Sequence, residues 1–252
     1  MSPLTQATME YAADAYKFGA ALCLIHAAGR LAGLSDIAAH VVPQALAFLV
    51  LALLGCDAWS SMYLEVGTTP GVYAPAHANG IRCCVLQIPL QLYELLCALR
   101  VKRLRGKAGE MVVHHALSLL LASLAVHKGI YFFYGTYFFG VSELSSLPLV
   151  FMDLFKMFPD VKKRYPLSNE LIRPFFCVCF LVLRTLYWPY VSYHFWSASV
   201  THWPADQVEV LVFCAVNLLL SALQAFWTYL IVIGLYKLAT GDPATHDVDK
   251  VD

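Results

Sequence analysis

His114 and His115 stand side by side near the start of an apolar stretch, with Glu94 upstream and Asp153 downstream. A carboxylate beside an imidazole orients the ring and raises its basicity, which is what a general base requires. Counted at about 1.5 Å per residue along membrane-crossing helices, all four residues fall within about 5–10 Å of the same membrane face. Adjacent helical residues point about 100° apart, so the two rings cannot serve one spot. Interfacial histidines also cap and snorkel, and that plainer role stands beside the catalytic one. No third histidine lies at helical spacing from the pair, so no metal site is expected there. Deeper in the chain, Glu143 and Arg184 both come out about 20 Å from that face. A charge inside a bilayer costs roughly 2.5–3.5 kcal/mol on insertion scales. Opposite charges at matching depth on neighbouring antiparallel spans therefore predict an ion pair, serving as a structural clamp or as a contact for a lipid headgroup.

Two polar stripes accompany these charges. Asn217, Ser221, Gln224 and Thr228 follow at i, i+4, i+7 and i+11, one face of a helix. His114, Ser118, Ala122 and Ala125 form a similar stripe of small and polar residues. Such faces meet other helices or a cavity rather than lipid. Asn217, Ser221 and Gln224 are candidates for contact with a bound substrate, as are Glu143 and Arg184. His26, His40 and His202 suggest nothing beyond ordinary packing.

The elements that must hold these groups follow from composition. Of 252 residues, 60% are hydrophobic and 13% charged, and the mean hydropathy is +0.63. A soluble domain of this size carries nearer a quarter charged residues, so lipid must be part of the solvent. The net charge is zero, which offers nucleic acid no basic field. Apolar stretches near 12–33, 38–58, 81–100, 111–127, 129–157, 171–195 and 207–236 are of the length a crossing needs. The first is interrupted by Lys17, His26 and Arg30, so the count is seven spans, or six if that segment lies on the surface. Pro148, inside the fifth, predicts a kink or break with the Leu144 carbonyl freed.

Basic residues set the orientation. Arg100, Lys102, Arg103, Arg105 and Lys107 crowd one loop, and Lys156, Lys162, Lys163, Arg164 and Arg173 surround another. The stretches 59–80 and 197–206 carry no lysine or arginine and should lie opposite, the first of them rich in turn residues. That alternation predicts an odd number of crossings, a lumenal N-terminus and a cytoplasmic C-terminus. The tail from Thr240 is short and polar and is expected to be disordered. The region Met1 to Lys17 has neither a basic start nor an immediate apolar core, so no cleavable signal is expected. The eight cysteines form no CxxC pair and read as small buried hydrophobes rather than as disulfides or zinc ligands.

The segment HHALSLLLASLAVHKGIYFFYGTYFFGVSELSSLPLVFMDLFKMF, residues 114–158, resembles the signature region of the TLC-domain family, which includes the ceramide synthases. The paired histidines, the ELSS segment some thirty residues later, and FLVLRTLYWPYVSYHFW at 180–196 all carry the likeness. The resemblance implies an all-α membrane protein in which six spans form a helical barrel around a lipid-sized cavity. An extra span precedes them, and the endoplasmic reticulum is the usual location. The implied organisation is an N-terminal segment 1–37 with the first span, a membrane domain 38–238 and a cytoplasmic tail 239–252. In the ceramide synthases the histidine pair and two downstream aspartates are needed to transfer a fatty acyl group from acyl-CoA to a sphingoid amine. His114 and His115 match that pair. The downstream HDxSD-type motif is replaced here by Ser142–Glu143–Leu144–Ser145–Ser146, and Asp153 and Lys156 match only loosely. The likeness is therefore closer to the smaller TLC-domain proteins associated with membrane-lipid composition. The implied co-substrate is acyl-CoA, with no resident cofactor, and the implied partner is a membrane lipid or fatty acyl ligand. A homo-oligomer is compatible with the chain. An acyltransferase and a non-enzymatic lipid-binding protein remain the two functional expectations.

Overall fold

The computed structural model describes residues 11–65, 69–106, 109–203 and 207–240. Lys107 and the tail beyond Thr240 therefore lie outside the described residues. Among those residues there are helices and no strand. The elements are α1 (Ala12–Leu31), α2 (Asp36–Glu65), α3 (Ala78–Arg100), α4 (Glu110–Lys128), α5 (Phe132–Met157), α6 (Pro159–Arg164), α7 (Pro166–His202) and α8 (Gln207–Thr240). Among the described residues, six helices are long and apolar enough to cross a membrane: α2, α3, α4, α5, α7 and α8. The first helix forms over 20 residues and packs on α2 and α3. Its length suits a crossing, but Asp14, Lys17 and Arg30 keep its apolar density below that of the other six.

Outward-facing residues are of the kind lipid accepts. Leu53 on α2, Leu96 on α3, Leu186 and Tyr193 on α7, and Leu218 on α8 are all more than half exposed. In water such a surface would drive aggregation, whereas against acyl chains it has no cost. Of the six, α3 is the most buried and α7 the least. The inner helix α3 is thus the one that carries the polar stripe described below.

Helices in a membrane associate where small residues let their backbones approach. Here α5 approaches α2 and α3 through glycines. A Cβ at Gly55 would stand 2.5 Å from the Gly140 backbone, and one at Gly135 would stand 2.5 Å from Cys84 Sγ. Neither neighbour has room to yield at Gly55, because its partner is main chain. Gly55→Val is therefore expected to force α2 and α5 apart and lower stability by roughly 1–3 kcal/mol or more. A wild-type melting temperature for purified Gly55→Val in detergent would contradict this close approach.

Two stretches depart from α geometry, and they lie against each other. Residues Tyr137–Val141 in α5 and Leu181–Tyr187 in α7 are wound as π-helix. The second ends just before Trp188–Pro189, where the proline ring would clash with the carbonyl of a normal helical turn. Tyr137 bridges the two by donating its hydroxyl proton to the Leu183 carbonyl. The helix is not broken at Pro148, where the sequence suggests a kink. It runs on from Glu143 to Met157, and the irregularity sits more than a turn earlier. Pro43 and Pro89 likewise lie inside helices that continue past them.

Candidate functional site

Gln87, Gln91 and Glu94 occupy i, i+4 and i+7 on α3 and are all buried. Their hydrogen bonds form a single directed chain. The Phe139 carbonyl can only accept, so Gln87 must offer it an amide N–H, at 3.0 Å, and a second contact from the same nitrogen reaches Glu143 Oε1 at 3.1 Å. Gln87 Oε1 then accepts from Gln91 Nε2 at 2.7 Å, and Gln91 Oε1 accepts from His115 Nδ1 at 2.8 Å. The backbone carbonyl in the π-helical turn thus fixes the tautomer of His115 three links away. With Nδ1 protonated, Nε2 of His115 faces Glu94 Oε2 across 3.9 Å.

Glu94 is held from the other side as well. Its Oε2 accepts from Gln44 Nε2 at 3.2 Å and pairs with His40 Nε2 at 3.2 Å, while Oε1 has no partner. His40 continues to Tyr93, whose hydroxyl lies 3.1 Å from His40 Nδ1 and 2.7 Å from His26 Nδ1. Polar groups therefore run unbroken from α1 through α2, α3 and α4 to α5.

The two adjacent histidines diverge as helical geometry requires. His115 turns toward α3. His114 turns toward α8, where its ring meets Trp227 at 5.4 Å, and its Nδ1 is buried without a hydrogen-bond partner. A buried polar atom left unpaired costs about 1–3 kcal/mol, so it calls for an explanation. His114 lines a narrow cavity of about 40 Å³. Along α4 the wall is formed by His114, Ser118, Leu121 and Ala125. That face spans roughly 16 Å at the helical rise. One end is polar, with Gln91, His114, Glu143 and Arg184; the other is aromatic, with Tyr131, Phe195 and Phe213. The lining comes from α3, α4, α5, α7, α8 and the turn before α5, whereas α2 packs outside it on α3 and α5. In that turn, Tyr131 has a left-handed backbone with φ of 61°. A non-glycine residue held there is strained, and such strain is often found at ligand sites.

Arg184 and Glu143 do meet, at 3.7 Å. The closer contacts of Arg184 are with hydroxyls and main chain. Its Nε donates to Ser145 Oγ at 2.7 Å, and Nη2 donates to Ser146 Oγ at 3.0 Å and to the Ser142 carbonyl at 3.1 Å. The SELSS segment is thus a cradle for one guanidinium from the neighbouring helix.

Of the remaining expected site residues, Asn217 shares this cavity and the others do not line it. Asp153 is half-buried and pairs with Lys156 at 3.1 Å, one turn along the same helix. On α8, Asn217 lines the cavity and accepts from Trp196 Nε1 at 2.9 Å. Ser221 accepts from Trp188 Nε1 at 3.0 Å, and Thr228 bonds Thr185 at 2.9 Å. That stripe is largely contact between α7 and α8. Gln224 is the exception, buried with both amide atoms unpartnered, yet it does not line the cavity. In the basic segment before α4, Arg105 is spent on capping α3 through the Ala98 and Leu99 carbonyls. Arg100, Lys102 and Arg103 stay exposed.

The family model of the TLC domain matches residues 39–233, which take in every helix that walls the cavity. The chain belongs to the TLC-domain family. No curated protein and no solved structure matches it. Within this TLC domain lie the paired histidines, the α3 stripe and the Glu143–Arg184 pair, whereas His26 on α1 lies outside the matched residues. Gln87 and Gln91 are not singled out from sequence, and His40, read there as ordinary packing, instead joins Tyr93 and Glu94. Gln87, Gln91 and Glu94 share the helical spacing noted on α8, and that periodicity would have found them. His40 and Gln44 are likewise one turn apart.

Proposed function

We propose that this multi-pass membrane protein holds an amphiphilic lipid or fatty acyl ligand in the cavity between α4, α5, α7 and α8. The acyl chain lies along the aromatic wall, and the polar group sits near His114. One observation carries this reading: the unpartnered Nδ1 of His114 is at the polar end of an otherwise aromatic cavity. A ligand donor or acceptor there would satisfy it. In the catalytic form of the proposal, acyl-CoA is the donor and a lipid amine or hydroxyl the acceptor. The acceptor lone pair attacks the thioester carbonyl, His114 takes the acceptor proton, the C–S bond breaks, and CoA leaves as the thiol once protonated. Exposed Arg100, Lys102 and Arg103 next to α4 attract the CoA phosphates.

A second reading has its own support. Arg184 has its donors committed to Ser142, Ser145 and Ser146, which is how a clamp behaves. On that reading the protein binds lipid without turnover and acts on membrane-lipid composition, as the replaced HDxSD-type motif also favours. Both forms place the chain in lipid metabolism, with sphingolipids as the first class to examine. Positive charge clustered near the α3–α4 segment and α6 supports a cytoplasmic C-terminus, and family resemblance supports the endoplasmic reticulum.

The test is native mass spectrometry of the purified protein alongside Leu121→Trp, whose added bulk occupies the cavity, with a melting temperature of each to show that both are folded. Wild type is expected to retain one lipid per chain and Leu121→Trp to lose it. Equal retention by both would move the ligand out of this cavity. Release of free CoA from an acyl-CoA with a sphingoid or lysolipid acceptor separates the catalytic form from binding alone.

A further inference from the structure

We propose a zinc site at the basic end of the bundle, built by His26 on α1, His40 on α2 and Cys97 on α3. One ligand atom from each lies within 4.8 Å of the other two. Tetrahedral zinc with nitrogen at about 2.0–2.1 Å and sulfur at about 2.3 Å needs them closer still, by roughly 1 Å, which side-chain rotation supplies. The ligands come from three helices, so no sequence spacing could announce them.

Three features distinguish this cluster from chance proximity. First, both imidazoles aim the same nitrogen at one point: Nδ1 of His26 and Nδ1 of His40 lie 2.7 and 3.1 Å from the Tyr93 hydroxyl. The ion takes the place between the two rings that the phenol oxygen now holds. Second, His40 Nε2 is 3.2 Å from Glu94 Oε2. A carboxylate that holds the far nitrogen of a ligating histidine fixes its tautomer and strengthens it as a ligand. Third, the charges close. The Cys97 thiolate and the buried Glu94 carboxylate together offset a dication, and Arg30 is already paired with Asp36 at 2.9 Å. His26, Tyr93 and Cys97 also line an open cleft of about 570 Å³, which gives an ion a way in and leaves a fourth position open. Two nitrogens and one sulfur suit zinc over calcium or magnesium.

The proposal stands apart from lipid binding, because it is read with no lipid or acyl donor present. Purified full-length protein is stripped with chelator and titrated with Zn²⁺, then with Co²⁺ as a spectroscopic stand-in. Expected are one bound ion per chain and a thiolate-to-cobalt charge-transfer band in the near ultraviolet. Cys97→Ser should abolish the band, and Glu94→Gln should weaken Zn²⁺ binding by about 10- to 100-fold. Tyr93→Phe should bind at least as tightly as wild type, since it frees both Nδ1 atoms. A hydrogen-bonded triad with no metal role predicts the reverse for Tyr93→Phe. Should Cys97→Ser fail to fold, His26→Gln on the outer helix α1 serves in its place. No stoichiometric ion, or an unchanged Co²⁺ spectrum in both ligand variants, overturns the site.

Discussion

Replacing Arg184 with alanine is expected to leave little folded protein. The guanidinium supplies donors to Ser145 Oγ, Ser146 Oγ and the Ser142 carbonyl, and it faces Glu143 at 3.7 Å with both side chains 8% exposed. Without it Glu143 keeps the Gln87 amide and the Ser146 hydroxyl but no cation, and three oxygens on α5 each lose one donor. Breaking a buried pair from one side costs roughly 3–5 kcal/mol, because a charge is left uncompensated. That is a large share of a typical stability of 5–15 kcal/mol. Arg184→Lys should rescue only in part. An ammonium delivers its donors from one point and cannot span acceptors arranged for a fork. Glu143→Gln combined with Arg184→Met removes both charges and should recover much of the loss. Thermal unfolding and monodispersity in detergent report all three variants. If Arg184→Ala melted with wild type, the clamp between α5 and α7 would have to be abandoned.

The legible part of this fold was what lipid dictates. Apolar runs of sufficient length gave the spans, because no other structure satisfies a backbone in hydrocarbon. Depth counting along helices gave the Glu143–Arg184 meeting, since two charges buried at the same level must find each other. What sequence could not supply was azimuth. Glu94 and Asp153 look alike by depth, yet α3 is an inner helix and turns Glu94 inward, whereas Asp153 sits on the outer side of α5 with Lys156. Nor did single-residue inspection reveal His40, because its importance comes from Glu94 on another helix. The π-helical turns were also beyond reach. Pro148 suggests a disturbance in the sequence, but the wide turn lies at Tyr137–Val141, where α5 crosses α2 at Gly55 and Gly140.

That displaced turn has a consequence for the histidines. The π-turn presents the Phe139 carbonyl to Gln87, and the direction of every later bond follows from it. His115 is thereby committed at Nδ1 to Gln91, and its Nε2 faces Glu94 Oε2 at 3.9 Å. Its place in the chain is that of a fixed, structural link. His114 has no such commitment. The paired histidines are therefore placed differently, one bonded into the polar chain and one with an unpartnered Nδ1 at the cavity.

This division predicts opposite behaviour for the two alanine variants. His114→Ala removes an atom that has no partner in the protein, so the melting temperature should stay close to wild type. If the protein transfers acyl groups, turnover should fall by about 10²–10⁴-fold, the usual contribution of a positioned base. Lipid retention should persist, because the aromatic wall from Tyr131 to Phe213 is untouched. His115→Ala strands Gln91 Oε1 in the interior and should cost about 1–3 kcal/mol of stability. Its effect on turnover should be smaller than that of His114→Ala once the remaining folded fraction is counted. The pair is measured by thermal unfolding and by CoA release from the same preparations. Loss of turnover in His115→Ala alone, at full stability, would reverse the two roles. Wild-type turnover in both would remove the imidazoles from the chemistry. Absence of turnover in the wild type, with lipid still bound, would leave the cavity as a lipid carrier in which His114 meets a headgroup rather than a reacting carbonyl.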